Sequence, residues 1–157
     1  METKKINLGA LIISLVISLG TGFLSSLLTK GNTAVYQDII KPGFSPPPQV
    51  FPVVWTILYI LMGISAYIIY MSDSPQKTSA LVIYAIQLAV NFMWSIIFFN
   101  MKNYLGAFLW IILLIIWIAA MIVSFYRIDK RAAFLQLPYL LWTIFAAVLS
   151  FSIYMIN

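Results

Sequence analysis

The side chains that could do chemistry in this sequence are few and of an unusual kind. Tyr84, Gln87, Asn91, Trp94, Ser95 and Phe98 recur at spacings of three and four, which puts them on one face of a helix. Trp55 follows a proline-rich stretch, KPGFSPPPQVFP, within one helical turn, and Trp142 lies four residues after Pro138. Histidine and cysteine are absent, so imidazole bases, thiolate nucleophiles and His/Cys metal sites are excluded. No Asp, Glu, Lys, Arg or His lies deep within any apolar run. Ion pumps and proton-coupled exporters depend on such buried charge, and acid–base hydrolysis lacks its usual groups. The remaining side chains are Trp, Tyr, Asn, Gln, Ser and Thr. They suit binding of a large planar molecule, or redox chemistry on a bound chromophore, better than hydrolysis. Gln87 and Asn91 have two readings: structural bonds between helices, or polar groups aimed into a ligand cavity. An amide in hydrocarbon needs a partner in either case.

The elements that must position these groups are membrane spans. Of 157 residues, 63% are hydrophobic and only 8% charged, against about 25% charged in an ordinary soluble domain. The mean hydropathy is +1.02. Five charge-free windows run over 6–29, 42–72, 78–101, 103–126 and 132–157, each long enough for one crossing of about 20 residues. The expected architecture is an all-α integral membrane protein of one domain, 1–157. Its five transmembrane helices form one bundle, at about 6–29, 51–71, 78–101, 104–126 and 132–156. The first run follows Lys4 and Lys5 but exceeds a signal-peptide core and lacks a small-x-small cleavage site, so it reads as a retained helix.

Basic residues set the orientation. Lys4, Lys5, Lys77, Arg127, Lys130 and Arg131 fall on one side of a five-span chain, and Lys30, Lys41 and Lys102 on the other. That asymmetry puts the N-terminus in the cytoplasm and the C-terminus outside. The net charge of +5 is scattered at the ends of apolar runs, where lipid headgroups are its partners. No basic stripe exists for nucleic acid.

Only the connection over 30–50 is long, and it holds Pro42, Pro46, Pro47 and Pro48. Proline fixes φ, so such a loop loses little entropy on ordering. It reads either as a stiff lid over the mouth of the bundle or as a rigid spacer. On the first helix, Ala10, Ser14, Ser18, Gly22 and Ser26 make a continuous small-residue face. Such a face is a packing seam, within the bundle or between two protomers. Trp110 and Trp117 are read as interfacial or lipid-packing residues.

Three blocks, KPGFSPPPQVFPVVWTILYILMG, QLAVNFMWSIIFF and PYLLWTIFAAVLS, resemble in order the signature blocks of the TspO/MBR family. The length and five-span plan match as well, so the resemblance covers nearly the whole chain. It implies a five-helix membrane bundle, commonly a homodimer. It also implies a pocket beneath the first loop for porphyrins such as protoporphyrin IX, for cholesterol in some members, and for benzodiazepine-site ligands such as PK11195. Light-dependent breakdown of protoporphyrin, with pocket tryptophans, is associated with bacterial members. A passive carrier of tetrapyrroles or lipids is the alternative. Carried over by motif, the ligand-binding residues are Tyr36, Pro46, Pro47, Trp55, Asn91, Trp94, Pro138, Tyr139, Trp142 and Ala146. Trp55 and Trp142 are the candidates for photochemistry. No cofactor is required and no metal site is implied. The sequence departs from the family pattern at Phe44, where tryptophan is frequent. It departs again at Ser150, Phe151 and Met155, where the Tyr and Arg of a proposed cholesterol motif are both missing. These departures favour a bacterial member in a bacterial cell membrane.

Overall fold

The computed structural model describes residues 4–157, and the described residues are helical, with no strands. The long helices are α1 (Leu8–Thr29), α3 (Val50–Tyr70), α4 (Lys77–Ser95) and α5 (Tyr104–Tyr126). The fifth crossing is divided into α6 (Lys130–Leu135) and α7 (Leu137–Ile156). A short helix α2 (Val35–Asp38) lies between α1 and α3. Five helical stretches are long and apolar enough to cross a membrane. With exposed Ile13, Val16, Val53, Ile116 and Leu141 on the outer faces, the chain is an integral membrane protein.

Helix ends follow local chemistry. Asn7 and Asn103 cap α1 and α5, their side-chain oxygens accepting from the amides of Ala10 (3.1 Å) and Gly106 (2.8 Å), which satisfies donors with no partner inside the helix. Asp129 caps α6 by accepting from the Arg131 amide at 2.9 Å. Hydrogen bonding from the Arg131 side chain holds the Asp129 carboxyl below its ordinary pKa.

The sequence predicts the last span as one helix over about 132–156. It is broken at Gln136 instead. Pro138 sits in the first turn of α7, where its missing N–H is not needed. At its far end α4 passes into one π-turn, Ile96–Asn100.

α1 packs chiefly on α3, while α4 and α7 flank α5. Met62, Ile69, Ile111, Ile118, Met121 and Phe125 are fully enclosed. In lipid the apolar side chains gain nothing by leaving their solvent, so close packing and hydrogen bonds decide which faces meet. The small face of α1 shows this. Ser14 Oγ donates to the Gly63 carbonyl (2.7 Å) and Ser18 Oγ to the Tyr59 carbonyl (2.8 Å). Gly22 lies so close to Tyr59 that a Cβ there would stand 2.5 Å from the ring. Of the two seams open on sequence, this one is internal. Trp110 also corrects its reading, since its Nε1 donates to the Val90 carbonyl at 2.7 Å and ties α5 to α4.

Candidate functional site

A cavity of about 700 Å³ occupies the loop-end half of the bundle, among α1, α3, α4 and α7. Its aromatic wall is built by Phe51 and Trp55 of α3, Trp94 and Phe98 of the α4 end, and Trp142 of α7. Opposite stands a hydroxyl-bearing side, Ser25, Ser26 and Thr29 of α1. Four-residue spacing explains this pairing: Ser18, Gly22 and Ser26 share the face of α1 that looks toward α3. The lower two pack closely on it, and Ser26 meets open space.

Beneath the cavity lies a buried polar chain. The Tyr59 hydroxyl donates to Asn91 Oδ1 at 3.4 Å. Asn91 Nδ2 donates to the Tyr139 hydroxyl at 2.9 Å, and that hydroxyl donates to Gln87 Oε1 at 2.8 Å. Both sequence readings of this face therefore apply, to different residues. Gln87 is fully buried and bonds between helices, whereas Asn91 bonds and also lines the cavity. Trp55 packs on Tyr59 (centroids 5.7 Å apart) and edge-on to Tyr139 (6.2 Å). The indole N–H groups of Trp94 and Trp142 are buried with no protein partner. A buried donor left unpaired is unfavourable by about 1–3 kcal/mol, so two cavity-lining side chains hold unused donors.

The roof comes from the segment between α1 and α3. Thr33, Tyr36 and Pro48 line the cavity from above. Tyr36 donates its hydroxyl to the Pro46 carbonyl at 3.2 Å and packs edge-on against Phe51. Burial pushes its phenol above the ordinary pKa. The segment is tied down further on. The Asn157 carboxamide makes two bonds to the backbone of Ile40, accepting at 3.0 Å and donating at 2.7 Å. Phe44 packs edge-on to Phe145.

Six of the ten candidate ligand residues converge on the cavity: Tyr36, Trp55, Asn91, Trp94, Trp142 and Ala146. The other four stand elsewhere. Tyr139 lies behind Asn91 and is 1% exposed. Pro46 contributes a carbonyl to Tyr36, Pro47 does not line the cavity, and Pro48 does. Pro138 lies on a shallow groove between α3 and α7, with Val54, Leu141 and Phe145. Trp142 lines both that groove and the cavity. Sequence reasoning missed Ser25 and Thr29, which fall off the four-residue series of small residues. It also missed Tyr59, which carries no motif beyond its spacing of four from Trp55.

None of the lining residues is charged. Among the described residues no cluster of His, Cys, Asp or Glu could hold a metal ion. The site can enclose a flat apolar molecule, offer N–H and O–H donors to polar atoms at its edge, and place oxidisable rings against it.

The model of the TspO/MBR family matches residues 12–155. The tryptophan-rich protein TspO of Archaeoglobus fulgidus is 37% identical over 152 residues, covering 96% of this chain and 99% of that protein. The tryptophan-rich protein TspO of Chlorobaculum tepidum is 37% identical over 151 residues, covering 94% and 95%. The translocator protein of Sus scrofa is 36% identical over 155 residues, covering 96% and 90%.

Proposed function

The chain belongs to the TspO/MBR family, and from that premise we propose that its cavity is a receptor site for porphyrins, protoporphyrin IX first, and for benzodiazepine-site ligands such as PK11195. The observation that carries this reading is the aromatic wall of Trp55, Trp94 and Trp142 around an uncharged cavity of about 700 Å³. Planar rings gain from offset or edge-on contact with such a wall. The uncharged lining also orients the ligand. A propionate carried inside would be a buried anion without a counter-charge, which is strongly unfavourable. The propionates therefore sit at the rim, in contact with water or headgroups.

The test is a dark titration of the purified protein with protoporphyrin IX and with its dimethyl ester, reading tryptophan quenching. Free tryptophan and a Trp55→Phe/Trp142→Phe variant serve as controls. Saturable quenching by both ligands, with affinities within about tenfold (~1.4 kcal/mol) of each other, is expected. Linear quenching equal in protein and variant removes the porphyrin site. A much stronger preference for the free acid removes the rim placement.

In this reading the proline-rich segment is a preorganised lid. Its ordering entropy is largely absent before the ligand arrives. Replacing Pro46, Pro47 and Pro48 together by glycine is expected to weaken binding by about ten- to a hundredfold, from roughly 0.4–1 kcal/mol for each relaxed position. The bundle should remain folded by circular dichroism. Unchanged affinity in the folded variant would make the segment a spacer.

A second reading, light-dependent oxidation of the bound porphyrin with dissolved dioxygen as the oxidant, is favoured by the contact of Trp55 with Tyr59 and Tyr139. Three oxidisable rings touch there beside the cavity. Trp55→Phe or Trp142→Phe should then keep dark binding and lose photoproduct. Passive carriage of tetrapyrroles or lipids ranks third and would appear as counterflow in liposomes. The distribution of basic residues supports a cytoplasmic N-terminus, which turns the roofed end outward, in a bacterial cell membrane. The homodimer implied by the family belongs to the same reading.

A further inference from the structure

The cavity is roofed by the segment over 33–48, and it has exposed lining residues both there, at Thr33 and Pro48, and at the side between α1 and α3. At its lower end α1 is zipped to α3 by Ser14 on Gly63, Ser18 on Tyr59 and the close contact of Gly22 with the Tyr59 ring. At its upper end α1 is tied to a different helix. Asn100, in the π-turn that ends α4, donates to the Leu28 carbonyl at 3.0 Å and accepts from Asn32 Nδ2 at 2.8 Å. α1 is thus bound to α3 below and to the end of α4 above. Between these ties α1 and α3 flank a gap. Phe23 and Ser26 on α1, and Pro52 and Thr56 on α3, line the cavity and are also exposed on the outside of the bundle. No hydrogen bond joins α1 to α3 above Tyr59 among the described residues.

We propose that this gap between α1 and α3 is a lateral portal, through which a ligand dissolved in the bilayer enters the cavity from the leaflet on the roofed side. The identity of the ligand rests on the reading above, but the portal does not. The route follows from which side is tied down. Above the cavity the segment over 33–48 is held by the Asn157 clamp on Ile40, by Tyr36 on Pro46 and by Phe44 on Phe145. At the side stand the exposed ring of Phe23 and the short side chains of Ser26, Pro52 and Thr56. An apolar planar molecule partitions into the bilayer before it meets the protein, so a side entrance avoids its return to water.

The chain contains no cysteine, which allows a test that needs no ligand. Ser25 is buried and lines the cavity, and Ser25→Cys exchanges one atom for a larger one. The full-length variant in liposomes is treated with a bilayer-dissolved pyrenyl maleimide and, separately, with a charged, water-confined sulfonated maleimide. The expected result is faster labelling by the lipid-dissolved reagent, by at least about tenfold. Adding Phe23→Ala should accelerate it further and adding Thr56→Phe should slow it. Labelling that is faster from water, or indifferent to both rim substitutions, overturns the portal, as does a thiol that reacts with neither reagent until the protein is unfolded.

The same rim substitutions, without the cysteine, are then examined with protoporphyrin IX by stopped flow. Because Phe23 and Thr56 also line the cavity, the diagnostic is the association rate, which a portal residue changes along with dissociation. A substitution that merely reshapes the site changes Kd, chiefly through dissociation. Absence of any saturable porphyrin binding defeats the ligand assignment while the labelling result stands, so the two readings fail separately.

Discussion

Protein carrying Trp55→Ala and Trp142→Ala together is expected to bind protoporphyrin IX in the dark at least about a hundredfold more weakly than the parent, a loss of about 3 kcal/mol or more. Each indole offers a broad rigid face at little conformational cost, and both line the cavity. Their supports differ. Trp55 is held from behind by Tyr59 and Tyr139, whose hydroxyls are fixed through Asn91. Trp142 is held between Phe51 (5.9 Å) and Phe145 (5.2 Å). Its truncation would also join the cavity to the outer groove that it now separates. The measurement is the porphyrin absorbance shift, which does not rely on the removed fluorophores. The phenylalanine pair supplies the contrast, keeping flat walls and most of the affinity. An alanine pair that binds within threefold of the parent, in folded protein, would show that the porphyrin does not rest on these walls.

The largest effect on stability is expected at Gly63. A Cβ at this position would stand 2.8 Å from Leu15 Cδ2, 2.8 Å from Ser18 Oγ and 3.1 Å from Leu15 Cα. The first two atoms can turn aside, but the third is backbone, so the helices themselves must separate. Gly63→Val adds two methyl groups to that Cβ. Overpacking of this kind typically destabilises by about 1–3 kcal/mol. Separation would also stretch the bonds from Ser14 to Gly63 and from Ser18 to Tyr59, each worth roughly another 1 kcal/mol. A total of about 3–5 kcal/mol should appear as a large fall in the thermal midpoint in detergent. Gly20, whose added Cβ would meet nothing within 4 Å, is the control, and Gly20→Ala should be neutral or slightly stabilising. Equal midpoints for Gly63→Val and Gly20→Ala would mean that α1 and α3 are not held as closely as described.

Much of this was legible in the sequence because membrane spans announce themselves by length and lack of charge. The positions 84, 87, 91 and 94 were also legible, since a single helical period places them on one face. The periodicity could not tell which amide would face the cavity. That depends on where Tyr139 lands, and Tyr139 belongs to another helix. The break at Gln136 was obscured because composition is apolar on both sides of it. The hydroxyl side of the cavity was hidden for a different reason. A serine that zips helices and a serine that lines an opening look alike in sequence, and only the gap between α1 and α3 separates Ser18 from Ser26.

The upper tie of α1 depends on how many residues stand between Trp94 and Asn100. The π-turn over Ile96–Asn100 accommodates one residue more than an α-turn would. One residue is about 100° of rotation around the axis. The end of the turn is therefore out of phase with the α-helix below it. The wall residues Trp94 and Asn91 keep the phase of the lower part. Asn100, the last residue of the turn, is out of that phase and bonds to Leu28 and Asn32. Removing a single residue from the turn would swing Asn100 away from α1 while leaving Asn91 and Trp94 in place. In this bundle one supernumerary residue at the end of α4 places the Asn100 bond to α1, a helix it follows by some seventy positions in the chain.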